Sequence, residues 1–140
     1  MINIVITGHG NYASGILSAV NLIVGNPENL VAVDFLSSDS AEVLADQLER
    51  SVSNASTQGT LVFCDLLGGT PFKQAVLLKS KHLNLEVVAG ANLPMVAECI
   101  VLRQGMSLAE LTDHSVNVGK EGIEKYVFKH INKENEIEGI

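Results

Sequence analysis

Two short stretches of the chain carry the groups needed for one kind of chemistry. In "TGHGNYASG", residues 7–15, His9 stands between Gly8 and Gly10. In "DLLGGTPF", residues 65–72, Asp65 is followed by Gly68, Gly69, Thr70 and Pro71. An imidazole is nucleophilic near neutral pH, and the partner of one ring nitrogen decides whether the other presents its lone pair. A carboxylate such as Asp65, accepting from one ring N–H, is the orienting half of such a pair. Gly68 and Gly69 let backbone N–H groups come close, and Thr70 adds a hydroxyl. A helix opening at Pro71 would supply unpaired N–H groups and partial positive charge, a setting that favours an anion.

The elements around these stretches must bring them together. "INIVIT" reads as a strand, and "YASGILSAVNLIVG" has helical spacing through Ile16, Leu17, Val20 and Ile23. "LVAVDF" is a second strand. "SSDSAEVLADQLERSVSNAS" opens on capping residues and continues as an amphipathic helix along Val43, Leu44, Gln47, Leu48 and Val52. "TLVFCDLL" and "LEVVAGA" are the third and fourth strands, with the helix "PFKQAVLLKSKH" between them. "PMVAECIVLR" and "SLAELTDHSVNVGKEG" are helical, "IEKYVF" reads as a short last strand, and the charged tail "KENEIEGI" ends the chain.

This alternation predicts an α/β fold: one doubly wound, mostly parallel sheet of order 2-1-3-4, with helices on both faces and a short, antiparallel fifth strand. In such a sheet ligands bind beyond the carboxyl ends of the strands, where the strand order reverses. The loops after the first and third strands then face each other, with His9 and Asp65 side by side. The chemistry implied is covalent phosphoryl transfer on His9, oriented by Asp65, with the charge spread over the Gly68–Thr70 backbone. Neither a metal nor a cofactor is required if the donor is itself a phosphohistidine.

A rival reading starts from the same loop. Gly8-His9-Gly10-Asn11-Tyr12-Ala13 fits the dinucleotide fingerprint G-x-G-x-x-G/A, and Asp34 closes the second strand about where an acid would meet a ribose hydroxyl. More plainly, Thr70 could be an ordinary N-cap and Gly68-Gly69 a turn. Asn92 and Pro94, after the fourth strand, fit turn chemistry as well as a pocket wall. Lys73 reads as surface. His82, His114 and His130 share no ligand spacing with each other, a carboxylate or a cysteine.

Composition narrows the classes further. The chain has 140 residues, 46% of them hydrophobic but only 4% aromatic, and a mean hydropathy of +0.26, which suits one aliphatic-cored domain with some surface left for a subunit contact. No apolar run approaches ~20 residues, and the N-terminus lacks a basic region and cleavage pattern, so a cytoplasmic protein is expected. Cys64 and Cys99 suggest two buried thiols in a reducing compartment. Asn54-Ala-Ser56 is formally a glycosylation acceptor that has no use there. A net charge of −7, with Arg50 and Arg103 the only arginines, argues against nucleic acid.

Taken as a set, "GHG" after the first strand, "VDF" closing the second, "DLLGGTPFKQA" after the third, "AGANLPM" after the fourth and "VGKEGIEKY" near the end resemble a known family. It is the IIA component of the mannose/fructose/sorbose/N-acetylgalactosamine branch of the bacterial sugar phosphotransferase system. The resemblance covers residues 1–130, leaving 131–140 as a tail. It implies that His9 is phosphorylated by the carrier HPr and passes the group to a IIB component, serving membrane IIC/IID partners indirectly. It implies support of His9 by Asp65, and Thr70 in the phosphate pocket. It also suggests a homodimer, in which "IEKYVF", hinged at Gly119 and Gly122, pairs with the partner's sheet edge. The phosphotransferase subunit of dihydroxyacetone kinase and a regulatory IIA-like domain are the alternatives within this fold. A chain ending at Ile140 is expected to be free-standing, without a fused IIB.

Overall fold

Four runs of aliphatic and β-branched residues form one parallel sheet in the computed structural model, which describes residues 1–53 and 58–129. The strands are β1 (Asn3–His9), β2 (Leu30–Phe35), β3 (Thr60–Cys64) and β4 (Leu85–Ala89), in the order β2-β1-β3-β4. Helices α1 (Tyr12–Val24), α2 (Ala41–Ser53), α3 (Thr70–Leu78), α4 (Leu93–Leu102) and α5 (Leu108–Glu121) connect and flank them. The Asn54–Ser56 acceptor, His130 and the 131–140 tail lie outside the described residues.

The strands alternate in which face they load, as a pleated strand must. Ile4, Ile6, Leu61 and Phe63 point to the side covered by α1, α4 and α5, where they pack with Val20, Val96 and Leu111. Val5, Val62 and Cys64 point to the other side, against Leu44 and Leu48 of α2 and Ala75 of α3. Both faces are buried, which is why the middles of the central strands are aliphatic, with the buried polar residues Asn3, Thr7 and Thr60 kept to positions near the strand ends. Truncating a fully buried side chain such as Leu48 to Ala would cost roughly 2–5 kcal/mol.

The ends of elements depart from the sequence reading in three places. β3 stops at Cys64, so Asp65 is free to turn toward the neighbouring strand. α3 ends at Leu78, and His82 lies beyond it. Residues 123–129 form no strand: Ile123, Tyr126, Val127 and Phe128 project into solvent. β propensity alone does not make a strand, and among the described residues the sheet stays at four strands without this segment.

Arg103, expected at the end of α4, sits in the 3₁₀ turn Arg103–Gly105 and is only 4% exposed. Its guanidinium donates to the carbonyls of Ile2 (3.2 Å), Asn29 (2.8 Å) and Glu28. These groups lie just before β1 and β2, so Arg103 closes the amino-terminal end of the sheet. The opposite end is left open for the site.

Candidate active site

β1 and β3 run side by side with Thr7 opposite Cys64. The next residues therefore leave the sheet together at its carboxyl end, between the two strands where the order reverses. The structure brings His9 and Asp65 into direct contact there. Asp65 Oδ2 accepts from the His9 backbone N–H at 2.9 Å and lies 2.8 Å from His9 Nδ1. Burial pushes the Asp65 carboxyl up, but the His9 amide, the His9 ring and the Leu66 amide outweigh it, and the group is held below its ordinary range. An ionised carboxylate only accepts, so the proton belongs on Nδ1. Nε2 then carries the lone pair.

His9 is well placed to use it. Its side chain is 46% exposed, against 16% for Asp65, and its ring meets the edge of Phe35 at 6.1 Å between centroids. The other side of the ring lies on Gly69: a Cβ there would stand 2.7 Å from His9 Cε1 and 3.4 Å from Nε2. Gly69 has an ordinary φ of −71°, so its role is to leave that space empty. Gly68, with φ +82°, supplies the turn itself.

The loop's backbone differs in one detail from a full set of free amides. The Gly69 N–H donates to Leu66 O at 3.2 Å, within the turn. Lys73 N–H makes the first intrahelical bond, to Gly69 O at 2.9 Å, and Pro71 has no N–H to offer. The first-turn amides of Thr70 and Phe72 have no intrahelical acceptor by geometry and face the open end of α3. Thr70, half-buried, stands at that end, while Lys73 is exposed one turn further in.

The remaining residues singled out from sequence have other roles. Asp34 Oδ1 accepts the Ser14 N–H at 2.9 Å and so caps α1 from the neighbouring strand. A carboxylate already occupies the helix end where a pyrophosphate would rest, so the structure gives the dinucleotide reading no support. Asn92 caps α4 by accepting from Met95 N–H (3.3 Å) and donates to Gly119 O (2.8 Å), which ties α4 to α5 rather than lining the site. His82 pairs with Glu49 at 2.9 Å and His114 with Glu98 at 2.8 Å. Burial pushes both Cys64 and Cys99 up to about 12, so they remain thiols.

Sequence reasoning did not single out Tyr12 or Phe35, which surround the pair, nor the spatial roles of Gly8 and Gly69. No group of three His, Cys, Asp or Glu side chains able to hold a metal occurs among the described residues, and none of their helices is long and apolar enough to cross a membrane.

Comparison with known proteins points to one family. Residues 3–116 match the family model for the PTS system fructose IIA component. The chain is 31% identical over 118 residues to the PTS system sorbose-specific EIIA component of Lacticaseibacillus casei, covering 84% of this chain and 86% of that protein. It is 32% identical over 134 residues to the PTS system mannose-specific EIIAB component of Escherichia coli, covering 94% of this chain but spanning only 42% of that longer protein. Among solved structures, the phosphotransferase system component EIIA from Streptococcus agalactiae superposes with a TM-score of 0.84 at 34% identity, over 89% of this chain and 97% of the other.

Proposed function

The chain belongs to the PTS fructose IIA component family and is a phosphoryl carrier of a sugar phosphotransferase system, and on that premise we propose that the phosphoryl group is carried on Nε2 of His9. The observation that carries this reading is the 2.8 Å contact between His9 Nδ1 and Asp65, which leaves Nε2 as the nucleophilic atom. The donor is the phosphohistidine of HPr. Its P–N bond breaks as a new P–N bond forms at Nε2, and the leaving imidazole keeps the electron pair. The Nδ1 proton stays with His9, and Asp65 balances the positive charge that develops on the ring. The Thr70 and Phe72 amides and the Thr70 hydroxyl receive the phosphoryl oxygens at the positive end of α3. In the second half-reaction the Nε2–P bond breaks as phosphorus bonds to a nucleophile of a IIB component, Nε2 recovers its electron pair, and the IIB component serves membrane IIC/IID partners.

The functional unit in this reading is residues 1–130, working in the cytoplasm as a homodimer. Support for the dimer comes from the arm at 123–129, whose Ile123, Tyr126, Val127 and Phe128 are each more than 60% exposed. Pairing the arm with a partner's sheet edge would cover those side chains, and a monomer mass by light scattering would rule that out.

The test of the carrier itself is direct. Incubated with enzyme I, HPr and phosphoenolpyruvate, the protein should take up one acid-labile, alkali-stable phosphoryl group, and His9→Ala should take up none. Uptake by His9→Ala at the wild-type rate would overturn the assignment.

A further inference from the structure

Asp65 has an incomplete set of hydrogen bonds for a residue that must hold another in place. Its Oδ2 takes both His9 contacts, while Oδ1 is buried and accepts no hydrogen bond of normal geometry. The Leu66 amide also favours the charged carboxylate, but the hydrogen bonds of normal geometry to His9 both fall on Oδ2, and packing must help restrain the other side. The neighbouring surface is Gly8, which is buried and has no side chain. A Cβ on Gly8 would stand 2.9 Å from Asp65 Cγ and 2.6 Å from Tyr12 Cδ1. The carboxylate and the Tyr12 ring thus flank the same bare Cα, near enough for the Asp65 charge to act on the phenol.

Tyr12 is itself anchored. Its hydroxyl donates to Ala91 O at 2.5 Å, in the loop that follows β4. Burial first, and then the nearby Asp65 charge, raises its pKa, so the phenol remains a donor across the neutral range. The ring is fixed at both ends: by the first turn of α1, and by a carbonyl on the far side of the site from β2.

We infer that Tyr12 is a positioning residue for phosphoryl transfer, its ring wedged beside Gly8 and pinned to Ala91 so that Asp65 stays in the orientation that keeps the proton on His9 Nδ1. The inference rests on the assignment of His9 as the carrier. It gives Tyr12 no contact with the phosphoryl group: Tyr12 acts on Asp65, and Asp65 acts on the ring. Loss of the wedge lets the carboxylate rotate away, and part of the His9 population then takes the tautomer whose Nε2 is protonated and cannot attack.

The experiment has two readouts. The first is the tautomer of His9 in the unphosphorylated protein, from the ¹⁵N shifts of the imidazole nitrogens above neutral pH. The second is the single-turnover rate of phosphohistidine formation from phospho-HPr. Tyr12→Leu removes the ring edge and the hydroxyl; it should move the ¹⁵N shifts toward the Nε2–H form and slow transfer roughly tenfold. Tyr12→Phe keeps the ring and loses only the Ala91 tie, so it should restore most of the rate while showing a smaller shift of the same sign. Wild-type shifts in Tyr12→Leu would overturn the inference, even alongside slow transfer, because slow transfer alone would mean that Tyr12 touches the donor. Should Tyr12→Leu fail to fold, Tyr12→Phe decides alone, and unchanged ¹⁵N shifts there overturn the pinning. The tautomer is read without any donor, so failure of wild-type His9 to accept phosphate would refute the carrier assignment separately.

Discussion

Replacing Asp65 by Asn isolates the charge at the centre of the site while nearly preserving its shape. In the structure a single oxygen, Oδ2, accepts from both the His9 amide and the His9 ring, and the carboxyl is held below its ordinary range largely by those bonds. Asn offers one neutral oxygen and one NH₂. If the oxygen stays with the His9 amide, the ring loses its acceptor. If the NH₂ turns to the ring, it favours the unprotonated Nδ1 and so places the proton on Nε2. A hydrogen bond to a charged group is worth about 1.5–3 kcal/mol, and each 1.36 kcal/mol off the barrier is tenfold in rate. Transfer to His9 should therefore slow by roughly ten- to a hundredfold, with the larger figure where the tautomer reverses. Single-turnover labelling from phospho-HPr measures it, and a wild-type rate in a folded Asp65→Asn protein would refute the role given to the carboxylate. The same change has a signature in stability. Asp65 has a lowered pKa in the folded state, so its contribution is fully present above the ordinary carboxylate value of about 3.9 and is lost as the pH falls through the lower, folded-state value. Thermal melts should show Asp65→Asn losing less stability than wild type over that acidic interval.

Three further outcomes follow from the same geometry. Gly69→Ala would place a Cβ 2.7 Å from His9 Cε1; labelling should slow at least tenfold by displacement of the ring, with the fold intact by circular dichroism. Thr70→Ala removes one hydroxyl beside backbone donors, so its effect should stay near tenfold and below that of Asp65→Asn, in the same labelling assay. Arg103→Met leaves the carbonyls of Ile2, Glu28 and Asn29 without their buried donor; urea unfolding should show a loss of roughly 2–4 kcal/mol, while labelling of the folded fraction stays at the wild-type rate.

The fold was legible because each strand is an aliphatic run set between turn signals, and because a parallel sheet buried on both faces leaves little room for ambiguity. β2, from Leu30 to Phe35, coincides with the apolar run that marks it. The meeting of His9 and Asp65 was legible for a different reason: topology alone sends the ends of the first and third strands to one crevice. What escaped were contacts set by tertiary packing. Arg103 reads as the last residue of a helix, yet three backbone carbonyls draw its side chain inside. Asp34 fits a ribose ligand by spacing, but the chain brings the Ser14 amide of α1 to it first. "IEKYVF" has the composition of a strand, but composition does not say which edge, if any, a segment pairs with.

The glycines show where a motif carries more than its pattern reveals. "GHG" and "GG" both look like loops loosened for an anion, but each pair divides its labour. Gly10 and Gly68 have positive φ, +57° and +82°, and nothing would crowd a Cβ at either; they are there to turn the chain. Gly8 and Gly69 have no such backbone need, and a Cβ on either would collide with the site: with Tyr12 and Asp65 at Gly8, and with the His9 ring at Gly69. One member of each pair therefore bends the backbone while the other leaves space for a side chain. The two spaces have different tenants, the carboxylate beside Gly8 and the imidazole on Gly69, and the 2.8 Å contact between those tenants joins the two loops. Alanine at Gly10 or Gly68 would strain a turn, whereas alanine at Gly8 or Gly69 would part the two groups proposed to carry the transfer. A sequence reader who sees four equivalent glycines is seeing two solutions to two separate problems, and only φ tells them apart.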